Sequence, residues 1–315
     1  MPCMKGKYVV WGLLLAAVVA VVALVRVGCT VEPEPASAEA APLKVASLHP
    51  LLSEMAQAVG GDAVQVVNLF PAAVDLHAFT PTGGDVAAAA GSRLLLACGK
   101  GVEPYLRDLR DSLPRVQIIE LGESIPDVLA PDGRTPDPHW WNTPENMKRA
   151  AFALAQALVQ ELPEQNDMIM ARLQAWGAKM DALTRRAKLE LARIPAEQRV
   201  LVCEHAAMCH FCAAFHFTPI AVQGVAQESE GDTAQIARLL ADLRARGVAC
   251  VFSDAADSPR FLENLAAQIG AEMLPLYMDG THPRGESLPY EIMFMHNINS
   301  IKQGLLPKAL APTEP

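Results

Sequence analysis

Eight short runs, most of them apolar nearly throughout and set apart by segments of helical character, leave this chain few folds to adopt. The runs are Leu43–Leu48, Val64–Phe70, Arg93–Ala97 and Val116–Glu120, then Val200–Cys203, Thr218–Val222, Val248–Phe252 and Glu272–Leu276. Strands buried on both faces read in this way, with few polar interruptions. Helical spacing or propensity follows each, for example in Leu51–Val59, Glu103–Leu113, Thr233–Arg246 and Pro259–Ile269. Strand alternating with helix implies parallel sheets and right-handed crossovers. The expected fold is therefore α/β, with two small lobes, each a roughly four-stranded parallel sheet flanked by helices.

Between the two series lies helix. Asn142-Thr143-Pro144-Glu145 is a start signal, with a threonine cap, proline at the first helical position and an acid in the first turn. Pro163 interrupts that helix and opens the next. The stripe Ile169, Leu173, Trp176, Met180, Leu183, Ala187, Leu191 then keeps one apolar face over about six turns. Such a stripe suits an ordinary core helix or a long rigid helix joining the lobes as a stiff spine.

At the front, Lys5 and Lys7 precede Tyr8–Val25, eighteen residues without a charge. A helix of that length spans roughly 27 Å, close to the hydrocarbon layer of a bilayer. A positive flank before such a run reads as a secretory signal or an uncleaved anchor. Val27-Gly28-Cys29 resembles the end of a lipoprotein cleavage box, although Arg26 stands where leucine is usual. Thr30–Pro42 is rich in proline, alanine and glutamate and reads as a tether. The expected organisation is a signal or anchor over 1–29, a disordered tether over 30–42, an N-terminal lobe over 43–142, linking helices over 143–195 and a C-terminal lobe over 196–315. The body is expected outside the cytoplasmic membrane, in the periplasm or at the cell surface, held to the membrane by lipid or by the N-terminal helix. The formal charge of −9 argues against a nucleic-acid binder.

Chemistry is carried by His77, His139, His205 and Asp279, which are 62, 66 and 74 residues apart. No local motif unites them, and singly each histidine reads as a surface or core residue. Their contexts do unite them. His77, His205 and Asp279 follow strand ends, and His139 lies in a proline-rich loop before the linking helices. Ligands of parallel α/β sheets bind beyond the carboxyl ends of the strands. Lobes facing one another would gather three imidazoles and one carboxylate, a donor set suited to Zn²⁺.

The blocks VASLHPLLSEMAQAVGGDAVQVVNLFPAAVDLHAFTPTGGD, LLLACGKGVEPYLRDL and DPHWW, with the histidine after Cys203, resemble the metal-specific solute-binding proteins of zinc and manganese ABC importers. The likeness runs in order from Leu43 to Leu306. It implies the cluster A-I fold, two lobes on a rigid linking helix with the metal buried between them, and metal ligands at His77, His139, His205 and Asp279. It also implies a non-enzymatic protein that hands its metal to a membrane permease, and a monomer is expected. Two positions depart from the family pattern: Ala206 replaces an aspartate, and Ser253-Asp254 stands where glutamate is common. Residues 121–136 hold no histidine, so the histidine-rich loop of many zinc-specific members is absent. Histidine as third ligand favours zinc, with manganese as the alternative.

Other readings compete at single residues. A zinc hydrolase would keep an open coordination position for water, but neither HExxH nor a nucleophile elbow occurs. An anchored surface adhesin with an incidental metal is a further alternative. His205, Cys209, Cys212 and His216 step along one expected helix face, but their span of about 16 Å prevents all four from meeting one ion. Cys209 and Cys212 read as small buried hydrophobes or as a redox pair, and Cys98, Cys203 and Cys250 as packing residues. His49 is either an auxiliary ligand or gate at the cleft, or a polar rim residue. His282 either substitutes for Asp279 or caps a turn. Trp140 and Trp141 shield the metal or pack the lobe edge.

Overall fold

The computed structural model describes residues 41–70, 79–222, 233–254, 260–282 and 286–306. The chain divides at Ala41, and every element below belongs to the unit Pro42–Pro315. The expected signal or anchor, Cys29 and nearly all of the tether lie outside the described residues. Among the described residues, no helix is long and apolar enough to cross a membrane.

The first sheet contains β1 (Leu43–Ser47), β2 (Val64–Asn68), β3 (Leu94–Ala97) and β4 (Gln117–Glu120), in the order β2-β1-β3-β4. All its pairings are parallel, with Val45 opposite Val66 on one side and Leu94 on the other. The second contains β5 (Val200–Cys203), β6 (Thr218–Ala221), β7 (Cys250–Asp254) and β8 (Glu272–Leu276), in the order β6-β5-β7-β8 and again all parallel. All four residues of β3 and all five of β7 are buried, as expected of apolar runs between helical layers. In each sheet the strand order reverses beside the first strand. The crevice at the carboxyl ends of β1 and β3, and of β5 and β7, is the usual ligand position in such folds.

The helices are α1 (Pro50–Gly60), α2 (Gly83–Ala90), α3 (Leu106–Ser112), α4 (Pro144–Glu161), α5 (Asn166–Leu191), α6 (Cys209–Phe215), α7 (Thr233–Ala245), α8 (Arg260–Ile269) and α9 (Tyr290–Leu305). Thr143 caps α4 by accepting from the Asn146 N–H, with Pro144 at the first helical position, as its sequence requires. The 26 residues of α5 form a rod of about 39 Å. Its stripe is buried at Ile169, Trp176, Met180, Leu183, Ala187 and Leu191. Both lobes rest on this rod. Arg172 of α5 donates to the Gly60 carbonyl at the end of α1 (3.2 Å), while Glu190 and Lys179 pair with Lys302 and Glu291 of α9.

Two features of α6 differ from the sequence reading. The helix expected to carry His205 begins only at Cys209. Residues 205–207 form a turn instead, with the Ala207 N–H on the His205 carbonyl (2.9 Å), so His205 stands on a loop. His216 is the left-handed cap that ends α6 (φ 60°). α2, built largely of alanine, carries no clear apolar stripe. A reciprocal cap between Thr82 and Asp85 starts it.

Candidate metal site

His139 sits in the loop that leads from the first lobe into α4, and it is buried. Two residues before it, Asp137 accepts from both its backbone N–H (2.9 Å) and its ring Nδ1 (2.7 Å). An Nδ1–H donated to a carboxylate places the ring's lone pair on Nε2, which is the tautomer a metal ligand needs. The other Asp137 oxygen accepts from the Cys209 backbone N–H at 2.8 Å. Burial pushes the Asp137 carboxyl up. The hydrogen bonds and charge of His139, with the nearby His210, reverse that, so it titrates below the ordinary range.

The same loop is tied to the second lobe at further points. Trp141 donates its indole N–H to the Met278 carbonyl (2.8 Å), and Asn142 donates to the Ala207 carbonyl (3.0 Å). His210 donates Nε2–H to the Asp137 carbonyl (3.0 Å) and accepts from Asn146 through Nδ1 (3.2 Å), so both of its nitrogens are engaged structurally. Trp140 donates to the Cys98 carbonyl (3.0 Å). Both tryptophans are fully buried, and Trp141, bonded across to the second lobe, lies with its ring 5.4 Å from that of His139.

Of the four residues expected from sequence, His139 and His205 are brought together, their rings 5.3 Å apart and tilted by 56°. Asp279 lies between Met278, which Trp141 binds, and Gly280, whose backbone packs against Leu51. His77 lies outside the described residues. Among the described residues, no three His, Cys, Asp or Glu side chains stand where they could hold one ion.

Other histidines and the thiols stand in or around the same junction and the two sheets. His49 is fully buried, not at a rim, and its Nδ1 caps α1 by accepting from the Leu51 N–H (3.1 Å). Burial, followed by the proximity of His139, pushes its pKa down to about 3. His282 rests its ring 5.5 Å from that of Tyr277. Cys98, Cys203, Cys209, Cys212 and Cys250 are buried and unbridged. Burial drives every one of these thiols up, Cys209 and Cys250 to about 12, so they are not thiolates at neutral pH. Glu103, buried beneath the same junction, accepts from the backbone N–H groups of Cys98 (2.6 Å) and Gly99 (3.0 Å), yet burial lifts it to about 7.

The sequence reading assigned no part in the site to Asp137, Asn142, Asn146 or His210. The Asp-Pro-His spacing was the one available signal, since an acid two residues before a histidine can reach its ring nitrogen.

Known proteins resemble this chain over most of its length. The zinc-binding protein TroA of Treponema pallidum is 27% identical over 86% of this chain and 91% of its own length. The manganese-binding lipoprotein MntA of Bacillus subtilis is 25% identical over 93% and 99%, and the iron-binding protein YfeA of Yersinia pestis 24% over 92% and 94%. Among solved structures, a zinc-bound ZnuA deletion mutant superposes with a TM-score of 0.75 at 23% identity, over 85% of this chain and 99% of its own. A manganese-bound periplasmic metal-binding protein from Candidatus Liberibacter asiaticus gives 0.76 at 19%, over 84% and 99%. The sequence profile of zinc-uptake complex component A, periplasmic (ZnuA), matches residues 45–304. The chain belongs to that family, and with it to the metal-binding substrate-binding proteins of ABC transporters, which are not enzymes.

Proposed function

We propose that this protein captures a divalent transition metal outside the cytoplasmic membrane, zinc in preference to manganese, and delivers it to the permease of an ABC importer. The ligands in this reading are His77, His139, His205 and Asp279, from an N-terminal lobe (43–142) and a C-terminal lobe (196–315) on linking helices (143–195). The observation that carries it is the Asp137–His139 hydrogen bond of 2.7 Å, which turns the Nε2 of His139 into a donor beside the ring of His205. A buried carboxylate spent on orienting an imidazole is a usual support for a metal ligand.

Three imidazoles and one carboxylate form a borderline-soft, four-donor shell that suits zinc better than the oxygen-rich shell manganese prefers. Relatives named for zinc, manganese and iron all match this chain, so the preference rests on the donor set alone. A closed shell of four protein donors would hold the ion without activating water, as suits cargo. In the same reading the body works as a monomer, tethered at its N-terminal side by lipid on Cys29 or by the apolar segment Tyr8–Val25.

The test is metal analysis of the purified chain, followed by zinc and manganese competition on the wild type and on each ligand changed to alanine. The reading expects one ion per chain, zinc displacing manganese, and a large loss of affinity in every variant. Stoichiometric binding that survives all four substitutions overturns the ligand set, and a manganese preference overturns the metal.

A further inference from the structure

His49 lies two residues beyond β1, an interior strand of the first sheet, at the point where the strand order reverses, and it is the N-cap of α1. Its Nδ1 accepts the Leu51 N–H, so in the neutral ring the proton resides on Nε2. That Nε2–H is completely buried and meets no hydrogen-bond acceptor among the described residues. A buried donor left in this state costs on the order of 1–3 kcal/mol, so its retention calls for an explanation.

The surroundings supply one. The His49 ring lies 4.8 Å from that of Trp141, whose indole N–H holds the Met278 carbonyl. Leu51, two residues on from His49, packs against Gly280. The residues on both sides of Asp279 are thus pinned to immediate neighbours of His49. The same cap excludes His49 as a ligand, because a nitrogen that carries a proton has no lone pair to give.

We propose that His49 is a positioning residue for the captured metal, its Nε2–H serving as the donor that holds the Asp279 carboxylate against the ion. This rests on the ligand reading above. A ligating carboxylate keeps spare lone pairs, and a hydrogen bond to one of them fixes which oxygen faces the metal. Burial keeps the ring neutral across the working pH range, so His49 supplies a direction without adding positive charge beside a cation.

His49→Asn separates this role from helix capping. Asparagine is among the best N-caps, so α1 keeps its start, but its short amide cannot reach where Nε2 stood. Zinc affinity is measured by competition with a chromophoric chelator for the wild type, H49N, D279A and the double variant, with thermal melting as the folding control. The expected result is a ten- to hundredfold loss in H49N with melting retained, and no further loss when H49N is added to D279A. Wild-type affinity in H49N overturns the proposal, as does an equal loss in the D279A background. If D279A itself binds zinc normally, the ligand reading fails instead, and the two failures are thereby told apart. Nitrogen chemical shifts of His49 give a check that needs no variant to fold. The Nε2–H resonance must move when zinc is added to the wild type, and a resonance unmoved by zinc overturns the proposal.

Discussion

Asp137 and Cys209, 72 residues apart in the chain, are joined by a 2.8 Å hydrogen bond from the Cys209 backbone N–H to the carboxylate oxygen nearer to it. The other oxygen of Asp137 holds His139. One carboxylate therefore orients a proposed ligand from the first lobe and starts the helix that follows the His205 loop in the second.

Asp137→Asn tests that coupling. An amide can still accept from one partner, but its NH₂ then faces an N–H donor. We expect zinc affinity to fall ten- to a hundredfold and stability to fall by about 1–3 kcal/mol from the buried, unmatched donor. Chelator competition and urea unfolding measure the two losses separately. A stability loss with unaltered affinity would reduce Asp137 to a structural staple.

The pH dependence of the metal-free protein follows from two buried groups with opposite signs. The folded-state pKa of His49 lies near 3 against an ordinary 6.5, so between those values the unfolded chain binds a proton that the folded one refuses. Stability from this source is lost on acidification, at about 1.4 kcal/mol per pH unit. Glu103 is raised from 4.5 to about 7, so the folded chain holds the extra proton over that range and loses stability as pH rises. The slopes oppose one another between roughly pH 4.5 and 6.5. Urea unfolding at about pH 7, 6 and 5 should show H49N gaining stability relative to wild type on acidification and Glu103→Gln losing it, each by about 1 kcal/mol per unit. Parallel curves for all three proteins would refute the assignment.

The strands were legible because burial on both faces leaves little room for polar residues. Leu94–Ala97 and Val200–Cys203 stand within one residue of their sequence bounds. α4 was legible through Thr143 and Pro144, and the spine through its stripe. α2 was not. Its GGDVAAAA has no periodic contrast, and only the Thr82…Asp85 spacing marks its start. Three residues after strand ends and His139 in its proline-rich loop suggested a ligand set, but the tautomers of His139 and His49 depend on Asp137 and on the Leu51 N–H, which are contacts of the folded chain that no spacing displays. The start of α6 at Cys209 was hidden for the same reason, since the carboxylate that meets its N–H comes from the other lobe.

Gly280 makes a separate prediction about the Asp279 loop. Its φ of +70° is a left-handed conformation, and a Cβ there would overlap the Leu51 side chain. Gly280→Ala should destabilise the protein by about 1–2 kcal/mol from backbone strain alone and weaken zinc binding by displacing its neighbour. Adding Leu51→Ala relieves the overlap but not the φ, so the double variant should regain part of the zinc affinity without returning to wild type. Thermal melts and chelator competition on the two variants decide this. Full recovery would assign the whole effect to the overlap with Leu51.

The last prediction concerns motion. α5 meets α1 through Arg172 and Gly60 and, further along its length, α9 through Lys179 and Glu291 and through Glu190 and Lys302. Beside the site, Trp141–Met278, Asn142–Ala207 and Asp137–Cys209 tie the lobes again. A hinge about α5 would have to break those junction bonds or bend a continuous 26-residue helix, and the structure holds no kink-forming proline within Asn166–Leu191 to ease it. Metal capture should therefore proceed by local rearrangement, with the lobes keeping their mutual orientation. Small-angle scattering with and without zinc should give superimposable profiles, and hydrogen exchange should register new protection in the loops around His139, His205 and Asp279 while α5 stays unchanged. A clear contraction on zinc addition, or exchange that slows along α5, would show that the spine bends.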